Sequence, residues 1–127
     1  MRFIIDTHTF LWFINDSPRL STNAKSLLES DNDLWVSIAS LWEIAIKVNI
    51  GKLTLPNNYE NFIPEQLALN DIEILPIKMA NLAIYTTLPL HHRDPYDRLL
   101  IAQAMTEKVS IISADVAFDS YFVTRIW

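Results

Sequence analysis

Two aspartates each follow a short apolar segment, at the point where a predicted strand ends. Asp6 follows Arg2–Ile5, and Asp115 follows Val109–Ala114. Apolar runs of this length are typical of buried strands. The carboxyl ends of parallel strands in an open α/β sheet form the edge at which ligands bind. Two carboxylates at that edge indicate a metal or phosphoryl site, although an aspartate after a strand is also ordinary turn chemistry.

Two further acids lie in predicted helices. Glu43 interrupts an apolar segment, so it either faces the sheet edge or is solvated and paired with Lys47, four residues later. Asp94 is followed by proline, which predicts a helix that begins there with Asp94 as its cap. Asp97 then lies in the first turn, where a carboxylate is favoured with or without a metal. We therefore assign capping to Asp94 and metal binding to Asp97.

The donor types predict which metal the site would take. Carboxylate oxygens are the ligands that magnesium and manganese favour. The chain contains no cysteine, which excludes disulfides, thiolate zinc sites and cysteine nucleophiles. The acidic set also lacks the histidines that zinc would favour. Because clustered carboxylates repel one another without a cation, raised carboxyl pKa values are expected in the metal-free protein.

The rest of the chain alternates strand and helix signals. Further strands are predicted at Leu34–Ser37, Ile72–Ile77 and Phe122–Trp127. Helices are predicted at Phe10–Ile14, Ser21–Glu29, Ala39–Asn49, Tyr59–Leu69, Met79–Leu88 and Pro95–Glu107. This alternation predicts an α/β fold with a central, mainly parallel sheet of about five strands flanked by helices. With no linker or repeat, residues 1–127 are expected to form a single domain.

Charge and hydropathy limit the partners. The formal net charge of −5 at pH 7 argues against binding nucleic acid through a broad basic surface. An RNA substrate would need metal ions or a locally basic rim. The chain has neither a signal-peptide pattern nor an apolar segment of about 18 residues, which predicts a cytoplasmic protein without membrane contact.

Four segments, taken in order, resemble PIN-domain ribonucleases and, more narrowly, VapC-type toxins of bacterial toxin–antitoxin pairs. They are Ile5–Trp12, Ser37–Lys47, His92–Ala104 and Ser113–Asp115. The resemblance runs nearly end to end and includes Gly51-Lys52-Leu53 and the terminal Trp127. It implies a PIN-like fold in which an acidic quartet binds one or two magnesium or manganese ions. Carried over residue by residue, the quartet is Asp6, Glu43, Asp97 and Asp115.

The same resemblance implies the activity and the partners. The expected reaction is hydrolysis of RNA phosphodiester bonds by a metal-activated water, which leaves a 5′ phosphate and a 3′ hydroxyl. A cognate antitoxin protein and a homodimer are the expected assemblies. Thr7 and Ser113 match hydroxyl positions that support the site. Asp119 is a lesser candidate for the fourth acid, because that position varies among relatives.

Five basic residues lie near these motifs, and four of them have two possible interpretations. His91, His92 and Arg93 precede the helix that carries Asp97 and either guide phosphate or solvate a loop. His8 could approach RNA or the antitoxin, or it could be an ordinary solvated residue. Arg98 follows Asp97 directly.

Apolar residues predict a protein partner. Half of the residues are hydrophobic, and four are tryptophan. The predicted helix around Trp42 is apolar on more than one face, so one face could remain outside the core. We predict that the antitoxin contacts Trp12, Phe13, Trp42 and Ile46. The alternative is that the core absorbs them.

Two other functions stay open. Asp6 could be the nucleophile of an aspartyl-phosphate phosphohydrolase, although the second aspartate expected two positions later in haloacid-dehalogenase-like phosphatases is His8 here. Alternatively, the chain could be a non-catalytic PIN-like binding module whose acids serve structure only. A metal-dependent RNA cleavage assay with an Asp6→Asn control separates both from the nuclease.

Overall fold

The computed structural model describes residues 1–127 as a parallel sheet with helices on both faces. The strands are β1 (Arg2–Ile5), β2 (Asp33–Ser37), β3 (Ile72–Leu75), β4 (Ser110–Ile112) and β5 (Arg125–Ile126). The helices are α1 (Thr7–Ile14), α2 (Thr22–Glu29), α3 (Ile38–Asn49), α4 (Tyr59–Leu69), α5 (Met79–Tyr85) and α6 (Pro95–Glu107), with a 3-10 helix at Val116–Ser120. None of these helices combines the length and apolar character needed to cross a membrane.

The order of the strands fixes where a site can form. The order is β3-β2-β1-β4-β5, and every neighbouring pair is parallel. Ile5 at the end of β1 pairs with Val36 of β2 and Ile112 of β4, so these three strands end at one level. The connections run outward on one side of β1 and then return to the other side. Ligands bind at such a reversal of strand order, and Asp6 and Asp115 follow the two strands that flank it.

The central strand is buried on both faces. Phe3 and Ile5 pack into one apolar cluster with Phe10 of α1, whereas Ile4 packs into a second cluster with Ile101 of α6. Alternate side chains of a strand point to opposite faces, so a strand covered on both sides is apolar throughout. Burial of β1 therefore holds the backbone immediately before Asp6 rigidly at the sheet edge.

The structure confirms the predicted fold class and changes several element boundaries. Helix α1 begins at Thr7 instead of Phe10, because Asp6 caps it directly after β1. Strand β3 stops at Leu75, since Pro76 cannot donate to a strand ladder. The predicted last strand shrinks to the two residues of β5, and α5 ends at Tyr85 rather than Leu88. The 3-10 helix at Val116–Ser120 was not predicted.

Candidate active site

Asp6 is fixed at the junction of β1 and α1. Only 5% of the residue is exposed. Its Oδ1 accepts a hydrogen bond from the Thr9 amide at 2.9 Å, which caps α1, and its Oδ2 accepts one from the Ser113 hydroxyl after β4. Both carboxylate oxygens are thus held by neighbouring elements. The hydroxyl of Ser113 makes the kind of supporting contact that the family resemblance implied.

Glu43 lies on α3 and is 9% exposed. Its Oε1 accepts a hydrogen bond from the Thr7 hydroxyl at 2.6 Å, which ties α3 to α1. Its Oε2 lies 3.2 Å from the ammonium nitrogen of Lys47. The two interpretations offered by the sequence therefore hold together: Glu43 faces inward and is also paired with Lys47. Glu43 is the buried member of this pair, and Lys47 is half-buried.

Asp94 has the capping role that the sequence predicts. The Asp94 Oδ1 accepts hydrogen bonds from the amides of Tyr96, at 2.8 Å, and Asp97, at 3.2 Å. These contacts make Asp94 the N-cap of the helix. Asp97 lies in the first turn with its carboxylate turned toward other acids. Its metal role remains a proposal, taken up below.

His92 joins two acids that the chain sequence separates. Its Nε2 lies 2.9 Å from Oδ2 of Asp97 and 3.3 Å from Oδ2 of Asp115. Potential metal-ligand atoms of these three residues all lie within 4.8 Å of one another. A histidine that is not part of the predicted quartet therefore lies against two of its acids. No periodic pattern could have revealed the contact, because His92 lies on a loop.

The electrostatics of the cluster centre on Asp97. Burial raises the pKa of its carboxyl to about 7, with further upward contributions from the nearby charges of Asp94 and Asp6 and a smaller one from Glu43. His92 acts in the opposite direction and lowers it. The expectation of a raised carboxyl pKa is met at Asp97, where burial is the largest cause and the neighbouring carboxylates add to it. Without a cation, this carboxyl is only partly ionised near neutral pH.

Asp115 and Asp119 have different surroundings. Asp115 caps the 3-10 helix by accepting from the Ala117 amide at 2.9 Å, and its second oxygen faces His92. Asp119 instead forms a two-pronged pair with the Arg125 guanidinium, at 3.0 and 3.1 Å. Asp115 therefore lies in the cluster, whereas Asp119 is paired with Arg125 outside it.

The other basic residues lie away from the acids. His8 is exposed and its ring lies 5.7 Å from that of Trp12. His91 is exposed and stacks edge-on against Tyr121. Arg93 is exposed in the loop before α6, whereas Arg98 is buried and hydrogen-bonded to loop carbonyls. Arg93 is therefore the exposed cation of this loop that can meet a phosphate chain.

The predicted partner residues differ in exposure. Trp42 is 60% exposed and stands edge-on to Tyr96, 5.5 Å between ring centres. It lines an apolar groove of about 250 Å³ between α3, α5 and α6. Trp12 is half-buried against Trp127, and Phe13 and Ile46 are also half-buried. The core has absorbed part of this set and left Trp42 outside it.

The donor set suits a hard divalent cation. Oxygen ligands of Asp97 and Asp115 converge with one imidazole nitrogen, and the charges of Asp6 and Glu43 reach the same place. Carboxylates suit magnesium and manganese, and imidazole is tolerated by manganese. A cation would also relieve the repulsion that raises the pKa of Asp97. The residues present therefore fit such an ion.

Comparison with known proteins gives two findings. The family model described as PIN domain matches residues 3–121. No curated protein matches the sequence significantly.

Solved structures with this fold include toxin–antitoxin complexes. VapBC2 from Rickettsia felis, bound to a promoter DNA fragment, is 18% identical with a TM-score of 0.74, and the alignment covers 99% of this chain and 98% of that one. FitAcB from Neisseria gonorrhoeae is 19% identical with a TM-score of 0.66, covering 98% and 96%. VapBC-1 from nontypeable Haemophilus influenzae is 17% identical with a TM-score of 0.66, covering 99% and 97%. At these identities the likeness concerns the fold.

Proposed function

The chain belongs to the PIN domain family, and from that premise we propose that it is a metal-dependent endoribonuclease, the toxin of a bacterial toxin–antitoxin pair. The observation that carries the proposal is the convergence of Asp97, Asp115 and His92 within 4.8 Å at the sheet edge, inside the range of the Asp6 and Glu43 charges. Burial and the neighbouring carboxylates raise the pKa of Asp97, and a bound cation would favour its ionised form.

The quartet Asp6, Glu43, Asp97 and Asp115 would hold magnesium or manganese. When bound, the ion would supply an activated water and would stabilise charge on the phosphate and the leaving oxygen. The chain's own contribution is to hold the ligands still: Asp6 by the Ser113 hydroxyl, and Glu43 by Thr7 and Lys47. Such outer contacts orient ligands before the metal arrives.

RNA is the proposed substrate, cleaved to a 5′ phosphate and a 3′ hydroxyl. The net charge of −5 leaves little general attraction for a polyanion. Attraction must therefore be local, from the bound cation and from Arg93, which is exposed and follows His92 in the loop before α6. Magnesium would neutralise the acids that otherwise repel phosphate. No side chain is required to form a covalent intermediate.

An antitoxin and a second copy of the chain are the proposed partners, and the cytoplasm is the proposed location. Support for the antitoxin comes from the similar folds, which were solved as toxin–antitoxin assemblies. Trp42 supports a protein contact, because a large aromatic side chain at a groove is typical of interface anchors. We retain Trp12, Phe13 and Ile46 as partner contacts through their exposed portions.

The residue at position 8 disfavours the phosphohydrolase alternative. The aspartyl-phosphate enzymes considered above carry a second aspartate two positions after the nucleophile, and this chain has His8 there, exposed and with its ring against that of Trp12. A non-catalytic binding module would keep the acids for structure alone. That alternative predicts no metal-dependent cleavage by the wild type.

Neighbouring aspartates of α6 provide a matched test. Purified Asp97→Asn and Asp94→Asn proteins are assayed on end-labelled RNA with magnesium or manganese, and the product ends are identified. We expect Asp97→Asn to reduce the cleavage rate by about 100-fold or more, because it removes a metal ligand. Asp94→Asn should stay close to wild type, because asparagine also caps helices. The reverse pattern would exchange the two roles, and unchanged cleavage by Asp97→Asn would defeat the metal assignment.

A further inference from the structure

Arg98 is a buried cation without an anionic partner. It is 6% exposed, and no carboxylate lies within ion-pairing distance of its guanidinium. Its Nη1 donates to the carbonyls of Pro89, at 2.9 Å, and His92, at 3.3 Å, and its Nη2 donates to the Leu88 carbonyl at 3.4 Å. Burying a charge is costly unless hydrogen bonds compensate it. The carbonyls that accept these hydrogen bonds all belong to one loop, residues 88–92, and the ring of Tyr85 lies 5.1 Å from the guanidinium carbon.

The hydroxyl of Tyr121 forms hydrogen bonds with the same loop. It accepts from the amides of His91, at 3.1 Å, and His92, at 2.8 Å, and it donates to the Pro89 carbonyl at 2.9 Å. The Arg98 Nη1 lies 3.3 Å from this hydroxyl. The two side chains and the loop thus form one buried hydrogen-bond network. We call Arg98 and Tyr121 together the loop brace.

Both side chains of the loop brace contact His92, whose ring lies against Asp97 and Asp115. His92 donates its amide to Tyr121, offers its carbonyl to Arg98 and directs its ring to Asp97 and Asp115. Phe118 supports the ring edge-on, with 6.3 Å between ring centres. With both backbone polar groups of His92 fixed, little freedom remains for its imidazole.

We propose that Arg98 and Tyr121 are positioning residues, which fix the 88–92 loop so that His92 holds the carboxylates of Asp97 and Asp115 in one orientation. The two acids come from α6 and from the turn after β4, and His92 is the side chain that contacts both. The expected effect on metal affinity rests on the proposed function. The expected effect on the position of His92 is independent of that function.

The test compares two tyrosine hydroxyl deletions in the full chain. Tyr121→Phe removes the hydroxyl of the loop brace and keeps the ring. Tyr59→Phe is the matched control, because its hydroxyl also donates to a backbone carbonyl, that of Leu41 at 2.7 Å, and the residue packs into the other apolar cluster. Two measurements are made on each: NMR contacts between His92 and Phe118 in metal-free protein, and Mn²⁺ affinity by titration calorimetry.

We expect Tyr121→Phe to lose the contacts between the His92 ring and Phe118 and to bind Mn²⁺ about tenfold more weakly than Tyr59→Phe, the loss usual for an outer contact of a metal ligand. Thermal melting confirms that both variants are folded. Unchanged His92 contacts in folded Tyr121→Phe would overturn the proposal, and so would unchanged Mn²⁺ affinity where the wild type binds the ion. A wild type that binds no Mn²⁺ refutes the proposed function instead, and the metal-free NMR comparison then decides the loop brace by itself.

Discussion

Replacing Asp97 with asparagine is expected to stabilise the metal-free protein at alkaline pH. The pKa of this carboxyl is raised from 3.8 to about 7, first by burial and then by neighbouring carboxylates. Between these values the folded state binds more protons than the unfolded state, so the free energy of unfolding falls as the pH rises. Asparagine has nearly the same shape and no charge. The substitution therefore removes a penalty that the wild type carries at any pH above the ordinary pKa of an aspartate, because only the unfolded state then ionises freely.

The magnitude follows from the same pKa. At ~1.4 kcal/mol per tenfold change in acidity, the rise corresponds to at most about 4 kcal/mol. Partial exposure of the side chain, 18%, screens part of that penalty. A carboxylate in the first turn of α6 also gains up to about 1 kcal/mol from the helix dipole, which asparagine forgoes. We expect a net gain of about 2 kcal/mol for Asp97→Asn at pH 8.

Urea denaturation from pH 4 to pH 8 in the presence of a chelator measures this effect. The difference between Asp97→Asn and wild type should be small at pH 4, should grow between pH 4 and pH 7, and should level off above pH 7. Saturating magnesium should then stabilise the wild type more than the variant, because only the wild type keeps the full ligand set. A variant that is less stable than wild type at pH 8 would refute the electrostatic reasoning.

Three further comparisons of variants test the fourth acid, the helix cap and the partner surface. Asp115→Asn should lose at least tenfold in RNA cleavage rate, whereas Asp119→Asn should retain most of it because Asp119 is paired with Arg125; equal loss in both would contradict this division. Asp94→Ala should be about 1 kcal/mol less stable than Asp94→Asn in denaturation experiments, since only asparagine keeps the cap; equal stability would remove the capping role. Trp42→Ala should lose less than about 2 kcal/mol of stability, because the side chain is largely exposed, yet weaken antitoxin binding by more than about 1 kcal/mol in calorimetry. Unchanged affinity would remove Trp42 from the interface.

The fold was predictable because local signals and burial agree. Strand β1 is apolar at every buried position, and Asp94 with its following proline marks the start of α6 without ambiguity. The predicted end of a strand was wrong where a single residue stops the strand, as Pro76 does after β3. Such limits depend on which strand edge is paired, which a single sequence does not display.

The candidate site was predictable in its acids and unpredictable in its histidine. Asp6 and Asp115 follow strands, so the topology alone places them together. His92 reaches them only because Tyr121, 29 residues away, fixes the loop before α6. Sequence patterns report periodic burial, and a loop held by a distant hydroxyl has no period. The same holds for the pairing of Asp119 with Arg125.

The most direct test of the central claim is cleavage of RNA by the purified wild-type chain, with and without magnesium, beside an Asp6→Asn control. Asp6 is buried at the end of β1, so asparagine preserves the cap on α1 while removing a charge from the proposed metal site. We predict cleavage that requires the metal, that leaves 5′ phosphate ends and that disappears in the folded variant. Equal cleavage by wild type and Asp6→Asn, or none by metal-supplied wild type across several RNA classes, would contradict the account.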